Sequence, residues 1–357
     1  MAAIDRVFDE MLSKGASDLH LHQGQKPKLR LHGGIIDIPG SPVLDENTVR
    51  NWLTEICEKE KWNKFEQTGD LDFAYGYEDK ARFRANYKKH AHGYGAVFRT
   101  IPSRILTLEE LKAPDALRRF ATFGSGLCLV TGPTGSGKST TLAGVIDFIN
   151  TNEARTILTI EEPIEFVHPQ KKSTVIQREV GTDCRSFASG LRGALRQDTE
   201  VVLVGEMRDL ETISLAITAA ETGLLVFGTL HTNSAIKTID RIIDVFPAPE
   251  QPGVRETLAV ALRAVCAQLL IKRSDGKGRV AAHEIMLQTR AISNKIRENN
   301  SKQISQDMLS GRKDGMQTMD DTIEGFLQQG IISGVDAYMK ALDKERFAQY
   351  APVGGHE

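Results

Sequence analysis

Gly132-Pro133-Thr134-Gly135-Ser136-Gly137-Lys138-Ser139 restricts what this chain can become more than any other stretch of it. The residues match the spacing G-x-x-x-x-G-K-[ST], and their flanks are the ones that spacing requires. Before them, Leu127-Cys128-Leu129-Val130-Thr131 reads as a buried parallel strand. After them, from Thr140 on, Leu142, Val145, Ile146 and Ile149 recur at helical spacing. A strand, a glycine-rich loop and a helix in that order let backbone N–H groups curl around phosphate oxygens. The helix N-terminus adds partial positive charge. Lys138 is then placed for the β- and γ-phosphates, and the Ser139 hydroxyl for Mg²⁺. An ordinary glycine-rich turn explains neither the Lys nor the Ser. The expectation is a site for ATP and Mg²⁺ over residues 132–140.

The 357 residues are long for one domain and suit two. A formal net charge of −2 supplies no global field to recruit nucleic acid or anionic lipid. Cys57, Cys128, Cys184 and Cys266 are too scattered for a disulfide framework or a Cys₄ zinc knuckle, which fits a reducing cytosol. No run approaches the ~20 apolar residues of a membrane span, and the first residues lack a signal-peptide layout. A cytoplasmic protein with at most peripheral membrane association is expected.

Ile4, Val7, Phe8, Met11 and Leu12 predict a first helix that Gly15 ends. Residues 17–22 and 28–32 alternate around a Gly-Gln-Lys-Pro turn and predict a hairpin with one wet face. His20 and His22 share a strand face there; without a third ligand they read as solvated strand residues rather than a metal pair. Residues 45–67 predict one or two helices. In residues 81–87, alternation puts Ala81, Phe83 and Ala85 on one face and Arg82, Arg84 and Asn86 on the other. With Arg99 on a neighbouring strand, that face is either an anion-binding surface or a solvated charged one.

Residues 101–104 look like a linker. Beyond it, strand candidates at 127–131, 156–161, 201–205 and 225–230 alternate with helical patterns, which predicts a parallel sheet with helices on both faces. From about residue 287 the spacing is helical, with a capping pair at Thr318/Asp321, a stop at Gly330, and a frayed end from Tyr350. The expected division is an N-terminal domain at 1–100, a linker at 101–114, an ATPase core at 115–286 and a helical extension at 287–357.

Hydrolysis needs more than a phosphate loop: something must orient water and something must sense the γ-phosphate. Ligands of open α/β sheets lie beyond the strand C-termini, so polar residues there are the candidates. Val201-Val202-Leu203-Val204-Gly205-Glu206 is an apolar strand ending in one acid, with Gly205 where an Asp is usual. Glu206 must then serve both the magnesium shell and the attacking water. Residues 157–165 end in the acids Glu161, Glu162 and Glu165, and residues 227–233 deliver His231 to the same edge. His283-Glu284 begins like H-E-x-x-H, but Leu287 stands where the second zinc histidine would be, so it is no zincin.

The order of these blocks resembles the type II/IV secretion ATPases, and within them the type IV pilus retraction branch. The blocks are residues 132–139, Glu161-Glu162-Pro163-Ile164-Glu165, Leu195-Arg196-Gln197-Asp198 running into Gly205-Glu206-Met207-Arg208-Asp209, Glu221-Thr222-Gly223 and Thr229-Leu230-His231-Thr232-Asn233. Residues 15–21 and 82–84 are similar too. The resemblance implies an α/β RecA-like P-loop core with an N-terminal α+β PAS-like domain and a C-terminal helical extension, in a homohexameric ring. It makes Glu206 the Walker-B glutamate, Glu165 and Glu162 acidic-box residues, and His231 the His-box residue. Arg82, Arg84 and Arg99 become candidate phosphate contacts across a subunit boundary. It further implies a motor that pulls pilins back through an inner-membrane platform protein, with a paralogous retraction ATPase as a further candidate partner.

The chain departs from that pattern in three places. Glu162 stands where an Asp is usual, Thr199-Glu200 replaces Pro-Asp, and Ser293 replaces the Arg of an Ala-Ile-Arg motif linked to retraction. A nucleotide-binding accessory subunit is therefore the alternative to a motor. An assembly ATPase is disfavoured by the short N-terminal region and the missing four-cysteine site. A nucleic-acid-driven motor is disfavoured by charge and by the lack of an aromatic-basic strip.

Overall fold

The computed structural model describes residues 2–31, 34–78, 80–101 and 104–352. By their contacts the residues fall into two compact units. Met1–Arg104 with Glu162–Val167 form one; Ile105–Glu161 with His168–Glu357 form the other.

The N-terminal unit opens with helix α1 (Asp5–Ser13), which buries Val7, Phe8 and Met11, and ends at Gly15 with φ +63°. Strands β1 (Asp18–His22), β2 (Lys28–Leu31) and β3 (Gly34–Asp37) follow, then helices α2 (Glu46–Glu55) and α3 (Lys59–Thr68). Strands β4 (Asp70–Tyr77), β5 (Ala81–His90) and β6 (Gly93–Ile101) complete an antiparallel sheet of order β3-β2-β1-β6-β5-β4. The predicted hairpin is β1–β2; His32, at its end, lies outside the described residues. Alternation on β5 works as the sequence implies, with Phe83, Ala85 and Tyr87 buried under α1 to α3. Phe8 stacks on Phe83 at 4.5 Å between ring centroids and meets Phe98 edge-on at 5.0 Å, an aromatic centre for this core.

In the second unit a sheet of order β13-β12-β7-β11-β10-β8-β9 is covered by helices. After α4 (Ala116–Ala121) come β7 (Gly126–Thr131), α5 (Lys138–Asn152), β8 (Thr156–Glu161) and β9 (Thr174–Glu179). Then follow α6 (Phe187–Ala194), β10 (Val201–Val204), α7 (Leu210–Glu221), β11 (Leu225–Leu230), α8 (Ala235–Asp244), α9 (Gln251–Ala261), β12 (Leu262–Lys272) and β13 (Arg279–Leu287). Every strand neighbour pair is parallel except β12 with β13. Apolar runs in the sequence found β7, β8, β10 and β11 but not β9, β12 or β13. Strand β12 is buried along most of its length, like the strands that were found.

Helices α10 (Arg290–Arg297), α11 (Ile304–Ser310), α12 (Met319–Gln328) and α13 (Gly334–Lys340) follow the last strand. Thr318 caps α12 by accepting the Asp321 N–H at 3.2 Å, as its spacing implies. Of the expected linker, Pro102 and Ser103 lie outside the described residues, as do residues 353–357; Tyr350, where a frayed end was expected to begin, closes a 3₁₀ helix (Glu345–Tyr350). Among the described residues no helix is long and apolar enough to cross a bilayer.

Candidate active site

Strand register brings the polar residues of the second unit to one edge. Leu230 of β11 pairs with Thr131 of β7, and the Gly132 N–H donates to the Leu230 carbonyl at 3.2 Å. The glycine-rich loop and His231 therefore leave the sheet side by side. On the other flank of β11, Thr229 Oγ1 donates to the Gly205 carbonyl at 2.5 Å, and the Met207 N–H to the Thr229 carbonyl at 3.0 Å. The Gly205 N–H donates to the Ile160 carbonyl at 2.8 Å, so the turn carrying Glu206 is tied to both neighbouring strands.

These ties crowd Gly205, which stands where the usual pattern has an acid. A Cβ there would lie 3.1 Å from the Ile160 carbonyl oxygen and 3.3 Å from the Glu161 Cα. Both are backbone atoms, and an aspartate would require them to shift by a few tenths of an ångström.

In the phosphate loop, Gly132, Gly135 and Gly137 adopt φ of +145°, +76° and +89°. Only glycine holds such angles without strain. Pro133, Thr134 and Gly135 are exposed, and Ser139 and Thr140 sit in the first turn of α5. Lys138 Nζ donates to the carbonyls of Gly132 and Pro133, at 2.8 and 3.2 Å, so it lies along the loop it serves. Ser136 Oγ is buried with no hydrogen-bond partner and lies 2.7 Å from where a Cβ on Gly132 would be. An unpartnered buried hydroxyl, a lysine on the rim and three left-handed glycines suit a bound phosphate chain.

The loop is held from behind by a residue the sequence analysis did not single out. Gln268 of β12 is 2% exposed; its Nε2 donates to the Ser136 carbonyl at 2.7 Å and its Oε1 accepts from Thr141 Oγ1 at 2.8 Å. Its own carbonyl oxygen lies 2.2 Å from where a Cβ on Gly132 would be. One signal was available. Gln268 is the lone polar residue in Ala264-Val265-Cys266-Ala267-Gln268-Leu269-Leu270, and a buried polar group needs partners.

Glu206 is gripped from two sides. Arg208 reaches it through Nε at 2.5 Å and Nη2 at 2.6 Å, and His231 Nε2 stands 2.8 Å from Oε1. Burial alone would raise the Glu206 pKa, but the Arg208 guanidinium and His231 hold the carboxyl below the usual carboxylate range. The predicted pair of Glu206 and His231 is thus assembled. Arg208 is an added member, present in the sequence block but without an assigned role.

By contacts Glu162 and Glu165 group with the N-terminal unit, and Glu161, the last residue of β8, with the second. Glu161 accepts from Thr159 Oγ1 at 2.7 Å and from Gln177 Nε2 at 3.2 Å. Within the N-terminal unit, Arg84 approaches Glu165 at 3.8 Å and Asp72 at 3.8 Å, and Arg82 Nη2 donates to the Ile164 carbonyl at 3.3 Å. Arg84 and Arg99 are direct cross-strand partners of β5 and β6. Arg99, however, is tied to the buried Asp18, its Nε donating at 2.8 Å. The three arginines thus share a face, and an ion pair already engages two of them.

His20 and His22 are half-buried rather than solvated, and their rings lie 6.3 Å apart between centroids. Among the described residues no group of three His, Cys, Asp or Glu side chains could hold a metal ion. The zincin-like His283-Glu284 is structural. Glu284 is 6% exposed and accepts the N–H groups that begin α8 (Ala235, 2.7 Å) and α12 (Met319, 3.3 Å).

A mostly parallel sheet with a phosphate loop after one strand, and a histidine and a glutamate at the ends of the next two strands of the sheet, defines a RecA-like P-loop ATPase. Comparison with known proteins carries this further. Residues 1–340 match the family model described as type II/IV secretion system protein. The chain is 50% identical to the type IV pilus retractation ATPase PilT of Pseudomonas aeruginosa over 334 residues, 94% of this chain and 96% of that one. It is 49% identical to the twitching motility protein of Neisseria gonorrhoeae over 89% of this chain and 85% of that one. In fold it is similar to the crystal structure of the pilus retraction motor PilT with bound ADP, with a TM-score of 0.90, 41% identity, and coverage of 98% of this chain and 99% of that one. The chain belongs to the type II/IV secretion ATPase family, and within it stands with the pilus retraction ATPases.

Proposed function

We propose that this chain hydrolyses ATP as a subunit of a homohexameric motor that retracts type IV pili through an inner-membrane platform protein. The observation that carries the reading is the grip of Arg208 and His231 on Glu206, beside the loop that bears Lys138. A carboxylate kept ionised at a strand end is what a water-orienting residue requires.

In this reading the backbone N–H groups of residues 135–140 cradle the phosphates, and Lys138 exchanges its two loop carbonyls for phosphate oxygens. Ser139 and Glu206 would hold Mg²⁺, which when bound supplies charge neutralisation between the β- and γ-phosphates. Glu206 orients water and His231 contacts the γ-phosphate side. Arg82, Arg84 and Arg99 serve the nucleotide of a neighbouring copy, with Glu165 and Glu162 beside them. That assignment asks Arg84 to leave Glu165 and Asp72, whose interactions with it are long and partly exposed. The motor works at the cytoplasmic face of the inner membrane, at the pilus base.

The test is a count of surface pili in cells lacking the gene and in cells carrying Glu206→Gln, beside ATP turnover of the purified proteins. Excess pili, lost twitching and turnover abolished in Glu206→Gln are expected. Bald cells would mean assembly, and unchanged pili with negligible wild-type turnover would mean an accessory subunit.

A further inference from the structure

The junction of α9 with β12, together with α10, encloses a concavity of about 410 Å³ built from residues that take no part in the nucleotide site. Its floor is fixed. Ser293 is 5% exposed, its Oγ donates to the Ala259 carbonyl at 2.9 Å, and it accepts from Gln288 Nε2 at 2.9 Å. Its walls carry Arg263, Arg290 and Arg297, and no lining residue is acidic.

Two of these guanidinium groups are held in place by bonds that leave part of each fork free. Arg263 donates Nε to the Ser125 carbonyl at 3.0 Å and Nη1 to the Val260 carbonyl at 3.2 Å. Arg297 donates Nε to Glu256 at 3.0 Å and Nη1 to Asn294 Oδ1 at 3.1 Å. Among the described residues Arg290 meets no carboxylate, so Glu256 is the one acid set against three arginines. Preordered forks lose little freedom on binding a carboxylate and favour bidentate recognition. Beside them Val260, 49% exposed, supplies apolar surface.

We propose that this concavity docks an acidic peptide segment of a protein partner, its carboxylates on the arginines and an apolar side chain against Val260. A free phosphate would match the charge but leave the apolar wall unused. The binding is independent of the motor reading, because none of these residues touches the nucleotide site.

The experiment uses the full chain with saturating ADP, which keeps the phosphate loop occupied, and a fluorescein-labelled Glu-Glu-Leu-Glu-Glu peptide followed by anisotropy. Saturable binding that weakens as salt rises, and at least a tenfold loss of affinity in Arg290→Glu, are expected. Ser293→Arg, which fills the concavity from its floor, should block the peptide as well. ADP affinity and basal ATP turnover should stay unchanged in Arg290→Glu. Equal binding of a Lys-Lys-Leu-Lys-Lys control, unchanged affinity in Arg290→Glu, or equal displacement by inorganic phosphate at matched ionic strength would each overturn the proposal.

Discussion

The side-chain amide of Gln268 donates to the Ser136 carbonyl at 2.7 Å, fastening the middle of the phosphate loop to a strand beside the one that leads into it. The same side chain accepts from Thr141 in the first turns of α5, so loop and helix are set by one buried group. A loop with three left-handed glycines has many shapes to choose from. Gln268 selects one of them before nucleotide arrives.

Gln268→Leu should therefore weaken nucleotide binding without unfolding the protein. Losing a buried hydrogen bond and stranding its partners costs about 1–3 kcal/mol, or roughly five- to hundredfold in affinity if most of it falls on the loop. Titration with a fluorescent ATP analogue measures it. An unchanged dissociation constant would show that the loop orders itself.

Arg208→Ala should expose the linkage between charge and stability at Glu206. The folded carboxyl is held below its ordinary value of 4.5, so the stability it contributes is present above pH 4.5 and fades as pH falls through the lower folded value. Removing Arg208 leaves burial, which raises the pKa, opposed by His231 alone. The variant's melting temperature should lie below wild type at pH 7, with the gap closing toward pH 3. The acid limb of its turnover profile should move to higher pH.

These two sites also show what sequence could and could not disclose. The phosphate loop, Glu206 and His231 were legible because each sits in a short local pattern at a strand end. Gln268 serves the loop from more than a hundred residues away, and only the parallel pairing of β12 with β7 brings it there. The absence of a Walker-B aspartate was visible, but the close approach of the Ile160 carbonyl to Gly205 is a through-space fact. On β5 the exposed face was predicted from alternation alone. That Arg99 is already bound to Asp18 required the β1–β6 register.

Glu284→Ala should destabilise the second unit. Its carboxylate accepts the first N–H groups of both α8 and α12, and each stranded donor costs about 1–3 kcal/mol. Thermal unfolding should fall by several degrees. Because α8 begins just after the His231 loop, turnover should fall more than ADP affinity. Equal stability of variant and wild type would mean that water replaces the carboxylate.

The N-terminal unit should be acid-sensitive through His22, as the second unit is through the buried His168 and His283, whose pKa values burial also lowers to about 4. Burial, followed by the nearby Lys88, His90 and His20, pushes its imidazole pKa down to about 4 from 6.5. His90 packs against it at 5.5 Å between ring centroids, and a Cβ on Gly95 would fall 2.3 Å from His22 Nδ1, so the ring packs closely against the β6 glycine. A base with a depressed folded pKa takes up its proton on unfolding. Stability is therefore complete above pH 6.5 and falls as pH drops toward 4. His22→Phe keeps an aromatic ring against Gly95 and removes the titrating group. Urea midpoints measured between pH 7 and 4 should fall less steeply in the variant; identical slopes would assign the acid sensitivity to other groups.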